Sequence, residues 1–361
     1  MARQRIPVVL VAGFLGSGKT TMLNHLLANR EGVRVGVVVN DFGSVNIDAL
    51  AVSGQVDTMV SLGNGCLCCA VDASGLDAML GRLSNAEAGI DVIVVEASGI
   101  AEPRDLLRLM IASENPDIRY GGLAEVVDAA EFDRSLERHP ELAEHLRIAD
   151  LVVVNKADRV TPGALAKLTA TVEEFAPGVP LLVTDHGRVD PQLFFDPKPR
   201  ERFGQLSFDD LREHDHHDHS EHLHAAYESV TFTTDRPLSP RRLLAFLEQR
   251  PPGLYRVKGH VDLGPRSRFG LHTVGAFIQL DRSAWPAGRP RRSELVLIGA
   301  GLDAEDVTRR LTECVAEDDT LDERGLLRIL RYLDEPADPA AAEDSTDPAE
   351  QPDQAEPSEQ D

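Results

Sequence analysis

The first half of the chain predicts an α/β fold with a mostly parallel sheet flanked by helices, and the second half a smaller α+β domain. Three observations carry that prediction. Short β-branched runs alternate with helical patterns from Ile6 to Thr184. Several of these runs are apolar without a break, as strands covered on both faces are. A glycine-rich segment, Gly13 to Thr20, joins the first run to the first helical pattern. The 361 residues suffice for two domains, at about 150 residues each. With 42% hydrophobic residues the chain can bury a sizeable core.

In chain order, strands are expected at Val8–Ala12, Val35–Asn40, Thr58–Leu62, Val92–Glu96, Glu125–Asp128, Leu151–Asn155 and Leu181–Thr184. Helical patterns cover Thr21–Asn29, Ala73–Leu83, Pro103–Met110, Glu131–Arg138 and Pro162–Phe175. Ligands in such sheets sit at the carboxyl ends of the strands. The glycine-rich segment lies at that edge. Gly13-Phe14-Leu15-Gly16-Ser17-Gly18-Lys19-Thr20 fits the phosphate-binding loop pattern in its strand–loop–helix setting, which makes the first half a P-loop NTPase domain. Glycines let the backbone N–H groups converge on phosphate oxygens at the positive end of the following helix. Gly13, Gly16, Ser17, Gly18, Lys19, Thr20 and Thr21 form the expected phosphate site. Lys19 reaches the outer phosphates, and the Thr20 hydroxyl completes a Mg²⁺ shell of oxygen ligands.

Two further strand ends carry chemistry. Val94-Val95-Glu96-Ala97-Ser98-Gly99 delivers an acid from an apolar strand. Glu96 can hold a magnesium-bound water, and the Gly99 backbone can approach the γ-phosphate. With Lys19, Glu96 is the candidate catalytic residue. Leu151–Val154 runs into Asn155-Lys156-Ala157-Asp158. The Asp158 carboxylate can accept two hydrogen bonds from guanine, a pair that adenine does not offer. Asn155 braces the loop and the Lys156 stem covers the base.

Gly65-Cys66-Leu67-Cys68-Cys69 lies between the phosphate loop and the Glu96 strand. Thiolates favour soft or borderline metals such as Zn²⁺ and Cu⁺. Three sulfurs leave the fourth position of a tetrahedron open, as a carrier needs. Buried thiols and a redox sensor are the competing readings. Further on, the chain loses periodicity from about Val189 to Ser207, and residues 191–226 read as a His-rich linker. Within it, His214, His216, His217, His219, His222 and His224 stand among three acids in eleven residues. Neutral imidazoles bind Zn²⁺, Ni²⁺, Co²⁺ and Cu²⁺. The segment reads as an accessory, flexible metal-recruiting site, with a solvated polar linker as the alternative.

The formal net charge of −23 argues against nucleic acid or an anionic membrane as the main partner. Eleven of the acids lie in residues 334–361, beside five prolines and no Lys or Arg, so that stretch is expected to be a disordered acidic tail. No stretch approaches the roughly 18 apolar residues of a membrane span. The N-terminus shows no signal-peptide pattern, so a cytoplasmic location is expected. Thiols stay reduced there, which turns the cysteine cluster toward metal rather than disulfide.

The second domain, residues 227–333, is expected to hold strands at Ser229–Thr233, Leu254–Val261, His272–Leu280 and Ser293–Gly299. Its helices are Pro240–Glu248, capped by Ser239, and Ala304–Val315, which buries Val307, Leu311 and Cys314. Arg256, Lys258 and His260 alternate on one strand face, toward an acidic partner, the nucleotide domain (residues 1–190) or solvent.

Gly13 to Thr21, Asn40-Asp41-Phe42-Gly43, Cys66-Leu67-Cys68-Cys69, Glu96 to Gly99 and Asn155 to Asp158 together resemble the CobW family of GTP-dependent metallochaperones, over about Ile6 to Leu333. That family is similar to the nickel-inserting GTPases of hydrogenase and urease maturation. The resemblance implies that Cys66, Cys68 and Cys69 form the metal site and that GTP binding is coupled to metal loading. It also implies that the C-terminal domain contacts a client. At Asp41 the family often carries Glu, near nucleotide or metal, and Asp is shorter by one methylene. The expectation is a slow GTP hydrolase using GTP, Mg²⁺ and Zn²⁺, with Co²⁺ or Ni²⁺ as other metals. Its partner is a client metalloprotein, and it acts as a monomer or homodimer. Cobalt delivery for cobalamin synthesis, metal supply to an enzyme such as a nitrile hydratase, a metal buffer with incidental GTP turnover, and a regulatory switch with a structural metal are the alternatives.

Overall fold

The computed structural model describes residues 5–29, 32–39, 58–61, 73–99, 101–195, 228–264, 267–286, 288, 290–317 and 322–333. The N-terminal elements are β1 (Ile6–Ala12), α1 (Lys19–Ala28), β2 (Val35–Val39), β3 (Thr58–Ser61), α2 (Ala73–Ser84), β4 (Val92–Glu96), α3 (Pro103–Ile111), β5 (Ile118–Asp128), α4 (Phe132–Arg138), α5 (Leu142–Ile148), β6 (Leu151–Asn155), α6 (Pro162–Phe175) and β7 (Leu181–Val183). The strands form one sheet in the order β3-β2-β4-β1-β5-β6-β7, and each neighbouring pair is parallel. β2, β4 and β6 are buried at every residue. Their unbroken apolar runs follow from cover on both faces. On one face, Met22, Leu23, Leu26 and Leu27 of α1 pack on Val9, Val11, Val37 and Val94. On the other, Leu76, Leu80 and Leu83 of α2 and Leu106 and Met110 of α3 pack on Val8, Leu10, Ile93 and Val95. Burying each such side chain stabilises the fold by about 1.5–3 kcal/mol.

β5 is longer than the expected Glu125–Asp128 stretch. Its pairing with β1 shifts register between Val8 and Leu10, where Gly121 and Gly122 together stand against Val9, one extra residue in β5. The Gly-Gly pair is a bulge, and Gly122 takes a φ of 110° there. Helix α5, absent from the sequence expectation, buries Leu142, His145 and Leu146.

The second body contains β8 (Glu228–Thr234), α7 (Pro240–Glu248), β9 (Leu254–Val261), β10 (Ser267–Val274), β11 (Phe277–Ala284), β12 (Ser293–Gly299), α8 (Ala304–Glu313) and α9 (Glu323–Ile329). Its strands make an antiparallel sheet in the order β11-β10-β9-β12-β8. Ser239 caps α7, accepting from the Arg242 N–H, and Val307, Leu311 and Cys314 are buried. Burial pushes the Cys314 thiol up to about 11, as suits a core thiol. The single strand expected at His272–Leu280 is instead a hairpin of β10 and β11. Gly275 turns it with a φ of 53°, and a Cβ there would meet the Asp150 carbonyl oxygen at 1.7 Å. The turn is pressed against the nucleotide domain, and only glycine fits.

The two bodies share a core. Tyr255 and Ile298 of the antiparallel sheet pack in the same cluster as α1 and β1. Residues expected at the start of the linker belong to that core: Leu193, Phe194 and Phe195 are buried, after a short 3₁₀ turn at Pro191–Leu193. Arg256 donates from Nη1 to the Phe195 carbonyl at 2.8 Å and also to the Gln192 carbonyl. Its strand face therefore meets the nucleotide domain at this position. No helix among the described residues is long and apolar enough to cross a membrane.

Candidate nucleotide site

The phosphate loop leaves β1 and folds back over the carboxyl edge of the sheet. Gly13, Gly16 and Gly18 all take positive φ, at 145°, 76° and 101°. Two of them are fixed by space as well. A Cβ on Gly13 would meet the Val126 carbonyl oxygen at 2.3 Å, and one on Gly18 would meet the Asn155 amide nitrogen at 2.3 Å. The first turn of α1 therefore begins at the loop, with its N–H groups at the phosphate position. Lys19 is buried, and its Nζ donates to the Gly13 carbonyl at 2.8 Å and the Phe14 carbonyl at 3.3 Å. That holds the ammonium across the loop.

Glu96 sits at the end of β4, in register with Val11 of β1 and Val39 of β2. It is 2% exposed. The Thr20 hydroxyl donates to its Oε1 at 2.8 Å. These two residues, 76 apart in sequence, are thus brought together at the head of α1. Their donor set is oxygen alone, hydroxyl plus carboxylate, which fits Mg²⁺. Gly99 follows closely. A Cβ there would meet the backbone N of Leu15 at 2.9 Å, so this glycine lets the chain after β4 touch the loop.

The other flank is built from β6. Asn155 is buried, donating from Nδ2 to the Ser17 carbonyl at 2.9 Å and accepting at Oδ1 from the Gly187 N–H at 2.9 Å. Lys156, with a φ of 59°, donates to the Gly16 carbonyl at 2.6 Å and pairs with Asp128 at 2.7 Å. Asp158 lies in the 3₁₀ turn Ala157–Arg159 and is exposed. Thr21 is exposed at the head of α1. The expected residues on the phosphate and base sides therefore converge on one edge. Asp41, Cys66, Cys68, Cys69 and the histidines at positions 214, 216, 217, 219, 222 and 224 lie outside the described residues. β3, after which the cysteine segment follows, ends at Ser61 in register with Val39, on the same sheet edge as Glu96.

Residues 7–183 match the family model for the CobW/HypB/UreG nucleotide-binding domain, and residues 227–315 match the cobalamin synthesis protein CobW C-terminal domain. The chain belongs to the CobW family. It is 29% identical over 333 residues to a zinc chaperone CobW from Sinorhizobium, covering 82% of this chain and 93% of that protein. It is 31% identical over 195 residues to the zinc chaperone YjiA of Escherichia coli, with 53% and 61% coverage. A zinc-regulated GTPase metalloprotein activator from Schizosaccharomyces pombe is 29% identical over 194 residues, with 51% and 47% coverage.

Three features of this CobW-family site go beyond the sequence motifs. The loop Thr184–Gly187 closes on α1, since a Cβ on Gly187, at φ 66°, would meet the Met22 backbone at 2.7 Å. A Thr-Asp-His-Gly turn directly after a strand is the signal that marks it. A cavity of about 280 Å³ lies beside the phosphate loop, walled by Phe14, Ser17, Glu125, Phe132 and Leu146. Glu125, in register with Ala12, forms part of that wall and is also 2% exposed. Burial pushes its carboxyl up to about 8, against the opposing pull of Lys19. An acid inside the apolar run Leu123–Val127 is the sequence signal for it, as it is for Glu96.

Proposed function

We propose that the chain is a GTP hydrolase that couples nucleotide state to the binding and delivery of a transition metal, Zn²⁺ first, to a client metalloprotein in the cytoplasm. The observation that carries this reading is the Asn155 bridge. One side chain of the Asn155–Asp158 motif ties the phosphate loop, through Ser17, to the loop Thr184–Gly187 that closes on α1. This supports phosphate and guanine recognition acting as one unit. Thr20 and Glu96 would hold Mg²⁺, which supplies charge neutralisation for the transferring phosphoryl group. Lys19 places a positive charge at the outer phosphates, and Asp158 selects guanine by accepting from its ring N–H and amine. Metal cargo is assigned to Cys66, Cys68 and Cys69, with Asp41 near them and the histidines at 214, 216, 217, 219, 222 and 224 as a recruiting site. The names of the relatives support zinc as the cargo.

The nucleotide half of this reading is tested by phosphate release with GTP and with ATP. The wild type is expected to prefer GTP by at least about 100-fold, because mismatched polar groups at a paired hydrogen-bond site stay unsatisfied. Asp158→Asn should lose most of that preference. Equal turnover of GTP and ATP by the wild type would refute the assignment.

A further inference from the structure

Glu125 is a buried ionisable group that the nucleotide chemistry above leaves unused. Its Oε2 has no hydrogen-bond partner among the described residues. Its Oε1 lies 3.9 Å from Nδ1 of His145 on α5. The opposite ring nitrogen, Nε2, lies 3.1 Å from Oε2 of Glu102, which is 53% exposed at the head of α3. A carboxylate–imidazole–carboxylate chain thus runs from solvent to a buried carboxyl beside the phosphate loop. We propose that Glu125 takes up a proton from solvent through His145 when nucleotide phosphates engage Lys19, so that nucleotide binding is proton-linked. This rests on the nucleotide-binding reading above.

The electrostatics give the direction. Lys19 is the cation that favours the ionised form of Glu125, and Glu102 opposes it. Across the cavity stand Glu131 and Arg159, with Asp128 and Lys156 neutralising one another at 2.7 Å. Bound phosphates claim the Lys19 ammonium and bring negative charge of their own. Both changes favour the neutral carboxyl. In the transfer, Nε2 of His145 gains a proton from solvent by way of Glu102 while Nδ1–H gives its proton to Oε1 of Glu125. The ring carries as many protons after the transfer as before it. The net change is one O–H bond formed on Glu125, one proton drawn from solvent, and no electron exchanged.

The sign follows from linkage. Burial already holds the free carboxyl near 8. Binding that keeps Glu125 protonated in the complex then takes up about 0.1 proton at pH 7 and about 0.8 at pH 8.5, and Kd weakens about fourfold between them. The experiment is calorimetric titration of the full chain with Mg²⁺·GDP, at both pH values, in buffers of different ionisation enthalpy. Glu125→Gln should abolish both the uptake at pH 8.5 and the pH-dependent weakening. Glu125→Met, which also cannot titrate, serves if the first variant does not fold. No uptake by the wild type, or equal uptake by the variant, overturns the proposal. Absence of GDP binding at either pH would instead sink the nucleotide reading, and this inference with it.

Discussion

Two carboxylates flank the phosphate loop at the same level. Glu96 ends β4 and Glu125 nears the end of β5, on the two strands that border β1, in register with Val11 and Ala12. Each is 2% exposed. Their chemistry differs because their neighbours differ. Glu96 receives the Thr20 hydroxyl at the head of α1, where oxygen donors and a helix N-terminus suit a divalent cation and a phosphate. Glu125 faces a cavity with Phe132 and Leu146 and a histidine at 3.9 Å. Burial without a comparable donor favours the neutral acid. Position on the sheet edge brings a carboxylate to the loop; what stands within a few ångströms decides whether it serves charge or proton.

The comparison can be broken by matched substitutions. Glu96→Gln keeps the shape and removes the charge at the proposed Mg²⁺ position. It should lower kcat for GTP hydrolysis by about 10²–10³ and raise the Mg²⁺ requirement, as loss of a preorganised electrostatic group does. A turnover within a few-fold of wild type would place Glu96 outside the chemistry.

Glu125→Gln has its smaller effect on stability, with a definite pH dependence. The folded carboxyl lies near 8 and its ordinary value is 4.5. An acid raised on folding binds its proton more tightly in the folded state. The wild type therefore loses stability as pH rises from about 4.5 to 8 and is level above that. The substitution should be near neutral at pH 4.5 and stabilising at pH 8, on the order of 1–3 kcal/mol, or several degrees in Tm. Equal Tm shifts at the two pH values would show that the effect is packing and not titration.

The same contrast explains what could be read from the sequence. The phosphate loop, Glu96 and Asn155-Lys156-Ala157-Asp158 are legible because backbone geometry fixes them locally: glycines where φ is positive, an acid or amide where an apolar strand ends. Leu193, Phe194 and Phe195 are apolar without periodicity because their partners, α1 and Arg256, are distant in sequence. β5 begins well before the expected Glu125–Asp128 because the Gly121-Gly122 bulge is fixed only by pairing with β1. Gly275 splits an apparently continuous strand because Asp150, 125 residues earlier, occupies the space a straight strand would need. Glu125 shows only as an acid inside an apolar run, and His145 carries no motif. Their relation exists only once α5 packs on the sheet.

The central claim is that nucleotide and metal are linked through one domain, and linkage makes that reciprocal. The most direct measurement is a Zn²⁺ competition titration of the reduced protein, with Mg²⁺·GDP and then with a non-hydrolysable GTP analogue. The Cys66→Ala, Cys68→Ala, Cys69→Ala triple variant is the control. The account predicts that the analogue tightens one site by at least about tenfold, or about 1.4 kcal/mol of coupling, and that the triple variant lacks this site. Equal zinc affinity in the two nucleotide states would contradict it and leave metal binding uncoupled from GTP.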